Sequence, residues 1–349
     1  MIYFASDNNS GVHPQIMQAL QDANNANTGS YGDDQWTMNM EAAFRDVFGP
    51  DTRAYGVFLG TAANVLGLKC ILAPHEGIIC AESAHINTDE CGAMESVGRK
   101  MYLIPENSGK IDLADVQKVL TQFCNGVHNV TPKVLSITQS TEYGVLYSID
   151  EVREISAFCR ANGLYLHMDG ARITNAAAAL GVDLRAATRD AGVDILTFGG
   201  TKNGMMFGEA VVIFNPALGL DFPFYRKQGM QLGSKMRFLS AQFCTYLKDN
   251  LWRENALHAN AMTTRLAAEI GKMPGLRITQ PVNVNSVFLR IPQAALDKLA
   301  QKYKFSMWDL EPDSASPAVN GPEIRIMTSF NTTPEQVDQL AADIRASLA

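Results

Sequence analysis

Six short apolar runs recur along the chain with helix-length stretches between most of them, and this alternation constrains the fold more than any other feature. They are Gly77 to Cys80 (GIIC), Met101 to Ile104 (MYLI), Val134 to Thr138 (VLSIT), Leu164 to Asp169 (LYLHMD), Ile195 to Phe198 (ILTF) and Ala210 to Phe214 (AVVIF). They read as six strands. Between the third and fourth stands a helix with marked ends: Ser148 and Glu151 have capping-box spacing, Val152, Ile155 and Cys159 line one face, and Asn162-Gly163 closes it. A strand, a helix and a strand in that order form a parallel crossover unit, so the chain reads as an α/β protein whose mostly parallel sheet carries helices on both faces. Such sheets bind ligands at the rim formed by their strand carboxyl ends, where both Asp169 and Lys202 are expected to project.

From about residue 246 the pattern changes. A long helical stretch from Leu251 to Ile270 is followed by a Met-Pro-Gly break, further strands and a last helix. That helix opens with Thr333-Pro334-Glu335-Gln336 and buries Val337, Leu340, Ala341, Ile344 and Leu348. A chain of 349 residues buries about 75% of its unfolded surface, enough for one large core and a smaller one. The expected organisation is a large domain over 1–245, with an N-terminal arm over 1–15, and a smaller α+β domain over 246–349. Lysine and arginine number 29 against 36 acidic residues, a net charge of −7 that counts against nucleic acid or an anionic membrane as a partner. No apolar run approaches a membrane span, and the first basic residue is Arg45, so a cytoplasmic protein is expected. The six cysteines contain no CxxC pair and suggest mostly buried thiols, with no metal ligands assigned.

Four segments carry chemistry. In ILTFGGTKNG (195–204) a strand passes into Gly-Gly and Lys202 sits in the turn. The plain reading is a solvated loop lysine. However, Phe198, Met205, Met206 and Phe207 surround it in sequence and no nearby carboxylate precedes Glu209, so a desolvated amine of depressed pKa is expected. An ordinary lysine is neutral in only about one molecule in two thousand at pH 7, whereas Schiff-base chemistry needs the neutral form. In LYLHMDGAR (164–172), Asp169 ends an apolar strand and needs a partner. Arg172 would supply a plain internal salt bridge. The functional reading is that Asp169 keeps a pyridinium nitrogen protonated. In FLGTAAN (58–64) the pair Gly60-Thr61 opens a buried helix and offers free N–H groups to an anion, or merely caps the helix. In ESAHINTDE (82–90), His85 is either a satisfied loop histidine or a ring that stacks on an aromatic cofactor.

Taken together, Gly60-Thr61, His85, Asp169 and Lys202 resemble the motifs of the threonine aldolase family of pyridoxal 5'-phosphate enzymes, which share the aspartate aminotransferase fold (fold type I). The resemblance spans nearly the whole chain, from Phe4-Ala5-Ser6-Asp7-Asn8 and Tyr31-Gly32-Asp33-Asp34 to Ser234-Lys235-Met236-Arg237 and Glu323-Ile324-Arg325-Ile326. The family's common Gly-Gly-Gly-Met-Arg segment is here Gly233-Ser234-Lys235-Met236-Arg237, and Ile-Asn-Thr-Asp follows His85. Both are similar to a low-specificity subgroup.

The resemblance implies that Lys202 carries the cofactor covalently, Asp169 bonds its pyridine nitrogen, His85 stacks on the ring, and Gly60 and Thr61 hold the phosphate. Arg172, at the edge of the cofactor site, would clamp the substrate carboxylate with Arg325 and Ser6. Tyr31, Arg226 and Lys227 resemble positions that reach a neighbouring subunit's site, which implies a homodimer or homotetramer. The implied reaction is retro-aldol cleavage of L-threonine, L-allo-threonine or a related L-3-hydroxy-α-amino acid to glycine and an aldehyde. His85, directly or through a water, is then the candidate base for the β-hydroxyl. A β-eliminating lyase or a serine hydroxymethyl-type transferase would use the same lysine and aspartate. The alternative of another class is a non-catalytic binding or regulatory protein on this fold.

Overall fold

The computed structural model describes residues 1–25, 27–309 and 321–348. Its strands are, in chain order, β1 (Ile2–Tyr3), β2 (Arg53–Val57), β3 (Glu76–Ala81), β4 (Met101–Ile104), β5 (Glu106–Asn107), β6 (Lys110–Ile111), β7 (Thr131–Thr138), β8 (Tyr165–Gly170), β9 (Ile195–Gly199), β10 (Glu209–Ile213), β11 (Arg277–Ile278), β12 (Ser286–Arg290), β13 (Tyr303–Lys304), β14 (Ser306–Asp309) and β15 (Glu323–Met327). A seven-stranded sheet has the order β2-β10-β9-β8-β7-β3-β4. The run from β9 to β4 is parallel throughout, and β10 lies antiparallel to both of its neighbours. All six apolar runs of the sequence lie in this sheet, so the fold is α/β with a mostly parallel centre.

The sequence reading misses β2. Its residues RAYGV carry a terminal arginine and an internal glycine, and as an edge strand it pairs only with β10, so half-buried Arg53 and Tyr55 interrupt the apolar signal.

The parallel topology places the carboxyl ends of β2, β3, β7, β8 and β9 on one rim. The chain leaves them toward Gly60, His85, Glu142, Asp169 and Lys202 respectively. Below the rim, Phe44, Phe48, Phe198 and Phe243 pack with ring centroids 5.4 to 6.2 Å apart. Phe198 is fully buried and anchors the end of β9 that delivers Lys202, so its truncation would cost about 3–5 kcal/mol.

A second, antiparallel sheet has the order β11-β12-β15-β14 and packs with the helices Leu251–Ile270, Gln293–Leu299 and Pro334–Ser347 around its own core of Leu266, Val287, Ile324, Val337 and Leu340. β1 pairs in parallel with β13, and Phe4 joins this second core. Both halves of the capping boxes at Ser148/Glu151 and Thr333/Gln336 are formed. Each cap contributes about 1 kcal/mol. Of the six cysteines, Cys80 and Cys159 are buried, Cys70 and Cys244 half-buried, and Cys91 and Cys124 exposed, fewer in the core than expected because the last two sit in surface turns. No described helix is long and apolar enough to cross a membrane.

Candidate active site

Lys202 lies in a 3-10 turn, Thr201–Asn203, entered through Gly199 and Gly200. A Cβ on Gly199 would collide with the carbonyl of Ala171, so the bare glycine lets the end of β9 close on the turn after β8. That approach puts Lys202 and Asp169 on one cavity, lined also by Gly60, Asn64, His85, Glu142 and Arg172. None of the apolar residues beside Lys202 in sequence lines the cavity or cleft that Lys202 lines. Phe198 and Met205 belong to the core and Met206 is exposed, because a tight turn sends successive side chains in different directions. The amine shares its cavity with polar and acidic groups.

Asp169, 4% exposed at the end of β8, does not pair with Arg172. It accepts from the Ala171 N–H at 3.0 Å and from Asn64 Nδ2 at 2.9 Å. The same Asn64 amide donates to Glu90 Oε1 at 2.8 Å, while its Oδ1 accepts from Thr197 Oγ1 at 2.8 Å. Thr197 spends its only proton on Asn64, so it accepts from His167 Nε2, 3.3 Å away, and His167 Nδ1 accepts from Ser136 Oγ at 2.8 Å. This assignment requires a neutral His167, and burial pushes that imidazole down to about 4. The network fixes both amide protons of Asn64, one on each carboxylate.

Glu90 is the second anchor. Its Oε1 lies 2.9 Å from His85 Nδ1, which therefore donates, and this hydrogen bond raises the His85 pKa above the ordinary histidine value although partial burial opposes it. The sequence reading assigned no role to Asn64 or Glu90. A carboxylate five residues after a histidine in a turn was the only available signal for Glu90, and a lone asparagine inside a helix gives none.

Arg172 pairs with Asp7 instead, through Nε at 2.7 Å and Nη2 at 2.9 Å. Asn285 adds a bond to Asp7 Oδ2 at 3.1 Å. Burial opposes ionisation of Asp7, but the Arg172 charge prevails and holds the carboxyl below its ordinary value. Arg325, reaching in from β15, has no carboxylate partner among the described residues and lies over the Trp308 ring at 5.0 Å. Burial and the neighbouring Arg172 charge push it down to about 10, so it remains a cation at neutral pH. Both arginines line the outer cleft with Ser6, Glu142 and Lys202.

Several residues singled out in the sequence stay outside. Thr61 adjoins Gly60 at the helix start without lining the cavity. Lys227 lies over the Tyr31 ring at 4.7 Å and Arg226 over the Tyr55 ring at 5.7 Å, away from this cavity.

The cavity fits pyridoxal phosphate. The helix Gly60–Ile71 starts there with no side chain capping it, and the space above Gly60 is open, which leaves its first N–H groups for a phosphate. On the same wall, Ser140 Oγ is buried without a hydrogen-bond partner among the described residues. A lysine and a fully anchored carboxylate face the same cavity, as a covalently held pyridine requires. Fold and site thus define a fold type I pyridoxal-phosphate enzyme. The profile of the beta-eliminating lyase family matches residues 3–294. The chain is 42% identical to a low specificity L-threonine aldolase from Pseudomonas sp. (strain NCIMB 10558), over 99% of this chain and 98% of that one. It is 41% identical to another from Pseudomonas aeruginosa, over 98% and 96%. A threonine aldolase structure from Leishmania major superposes over the full length of both chains with a TM-score of 0.94 at 29% identity. The chain belongs to the threonine aldolase family.

Proposed function

We propose that this enzyme cleaves L-threonine, L-allo-threonine and related L-3-hydroxy-α-amino acids to glycine and an aldehyde. The observation that carries this reading is that Lys202 and Asp169 line one cavity while two guanidinium groups, Arg172 and Arg325, line the cleft that adjoins it. Pyridoxal phosphate, when bound, supplies an electron-withdrawing heterocycle that accepts the electron pair left at Cα. Lys202 would hold it covalently, Asp169 would bond its ring nitrogen, His85 would stack on the ring, and Gly60 and Thr61, through the first N–H groups of the helix Gly60–Ile71, would receive its phosphate.

Arg325, with no carboxylate partner among the described residues, would take the substrate carboxylate, and Arg172, fixed in place by Asp7, would offer its remaining N–H groups, with Ser6 lining the same cleft. Which Cα bond breaks depends on which one stands perpendicular to the ring, so a planar, bidentate clamp selects the reaction. Tyr31, Arg226 and Lys227 lie beside exposed Phe224 and Met230 and are assigned to the site of a neighbouring copy, in a homodimer or homotetramer. The division into domains at 245/246 and a cytoplasmic location belong to the same proposal.

Product analysis tests it. Holoenzyme given L-threonine without folate should release glycine and acetaldehyde in equal amounts, and the rate on L-allo-threonine and β-phenylserine ranks the substrates. Release of a 2-oxo acid and ammonia instead would assign the site to β-elimination.

A further inference from the structure

The aldolase reading requires a group to remove the β-hydroxyl proton, and the sequence offers His85. The geometry favours a residue with no role so far. Glu142 follows β7 in a turn held by Thr141 N–H on the Val145 carbonyl at 2.9 Å and Gly144 N–H on the Thr141 carbonyl at 2.8 Å. The next side chain, Tyr143, packs on Phe288 and Trp308, so the turn is pinned between the two sheets. Glu142 lines both the ring cavity, with Asp169 and Lys202, and the outer cleft, with Arg172 and Arg325. It therefore stands at their junction. A substrate whose carboxylate rests on the arginines and whose amine lies toward Lys202 extends its β-carbon into that junction.

The other acidic groups of the inner cavity already accept hydrogen bonds: Asp169 from Asn64 and the Ala171 N–H, and Glu90, through Oε1, from Asn64 and His85, while Glu90 Oε2 is buried without a partner among the described residues. Glu142 accepts no hydrogen bond from any described residue. His85, by contrast, is already tied through Nδ1–H to Glu90, and its Nε2 lies 3.7 Å from Asp89 Oδ2. We infer that Glu142 is the residue that takes the proton of the substrate β-hydroxyl. The O–H bond breaks and its proton passes to the carboxylate. The O–H electron pair closes the carbonyl of the departing aldehyde, and the Cα–Cβ pair remains on Cα. This inference rests on the aldolase reading.

Burial raises the Glu142 pKa above the ordinary value of 4.5, and the Asp169 charge adds to it, while His85, Arg172 and Lys202 act against it. Tyr143 and Arg325 also face it. A buried carboxyl with a raised pKa retains an abstracted proton more readily than an exposed one, which suits it to proton exchange. Because the folded pKa is raised, the stabilisation is fully present below about pH 4.5 and lost as pH rises through the folded value.

The test compares holoenzyme forms of wild type, Glu142→Gln and Glu142→Asp. Aldehyde release from L-threonine should fall about 10²- to 10⁴-fold in Glu142→Gln and recover in part in Glu142→Asp. Exchange of the glycine α-protons in D₂O, which involves no β-oxygen, should stay within roughly threefold. Independently of turnover, the melting temperature of wild type should drop relative to Glu142→Gln as pH rises from 5 to 8. Aldehyde release within tenfold of wild type, an equal loss of both reactions, or a melting difference that does not change with pH would each overturn the inference. Wild-type enzyme that exchanges glycine yet releases no aldehyde from any β-hydroxy amino acid sinks the aldolase reading itself, whatever the variants do.

Discussion

Two bidentate arginine–aspartate pairs in this protein have nearly the same geometry. Arg172 meets Asp7 at 2.7 and 2.9 Å, and Arg265 meets Asp338 at 2.6 and 2.8 Å. Their surroundings differ. The side chains of the first pair are 13% and 0% exposed, and those of the second 48% and 52%. The first lies at the mouth of the catalytic cleft and joins the start of the chain to the end of β8. The second bridges the outer faces of the helices Leu251–Ile270 and Pro334–Ser347, whose apolar stripes already hold them together. In water each partner retains most of its solvation when separated, so the exposed pair contributes little. In the cleft both partners are buried and each is the other's hydrogen-bonded counter-charge, so loss of one is costly.

The largest effect is therefore expected from Asp7→Asn. It leaves the buried Arg172 charge without its hydrogen-bonded carboxylate, and denaturant titration at pH 7 should show a loss of about 3–5 kcal/mol. Asp7 has a lowered pKa in the folded protein, so the stability it brings is present above the ordinary aspartate value of 3.8 and is lost as pH falls through the folded value. The gap between wild type and Asp7→Asn should accordingly narrow on acidification. A gap that persists at the lowest pH where the protein stays folded would show that the charge of Asp7 is not what stabilises the corner.

Arg325→Lys tests the unpaired half of the clamp. A lysine keeps the charge but loses the planar fork, so kcat/KM for amino-acid substrates should fall on the order of 10- to 100-fold. The unfolding midpoint should hardly move, because Arg325 leaves no buried carboxylate behind when it is removed. A large loss of stability with unchanged kinetics would exchange the roles given to the two arginines. The smallest effect belongs to Asp338→Asn, whose melting temperature should match wild type within experimental error.

The same contrast explains what could be read from the chain beforehand. Features set by neighbours a few residues away were visible: the capping boxes at Ser148/Glu151 and Thr333/Gln336, the helix Leu251–Ile270, and six of the strands in the large sheet. β2 was hidden because an edge strand needs apolar residues on only part of its surface. For the site, residue types and order pointed to Gly60, His85, Asp169, Arg172 and Lys202, and the fold brings these to one cavity. The partner of Asp169 was not legible. Arg172, three residues along, looked sufficient, yet the arginine turns to Asp7, 165 residues upstream, and Asp169 takes Asn64, 105 residues upstream.

The sequence by itself determined the alternation of strand and helix, the rim on which the chemistry collects, and the reactive side chains, since each follows from local periodicity and from what a given functional group can do. Only the tertiary structure decided which charge neutralises which, that Asn64 joins two carboxylates, and that Glu142 stands where cavity and cleft meet without a hydrogen-bond partner among the described residues. Hydrogen bonds and buried ion pairs act over about 3 Å of space without regard to distance along the chain, so their pairing is fixed only once the strands are in register.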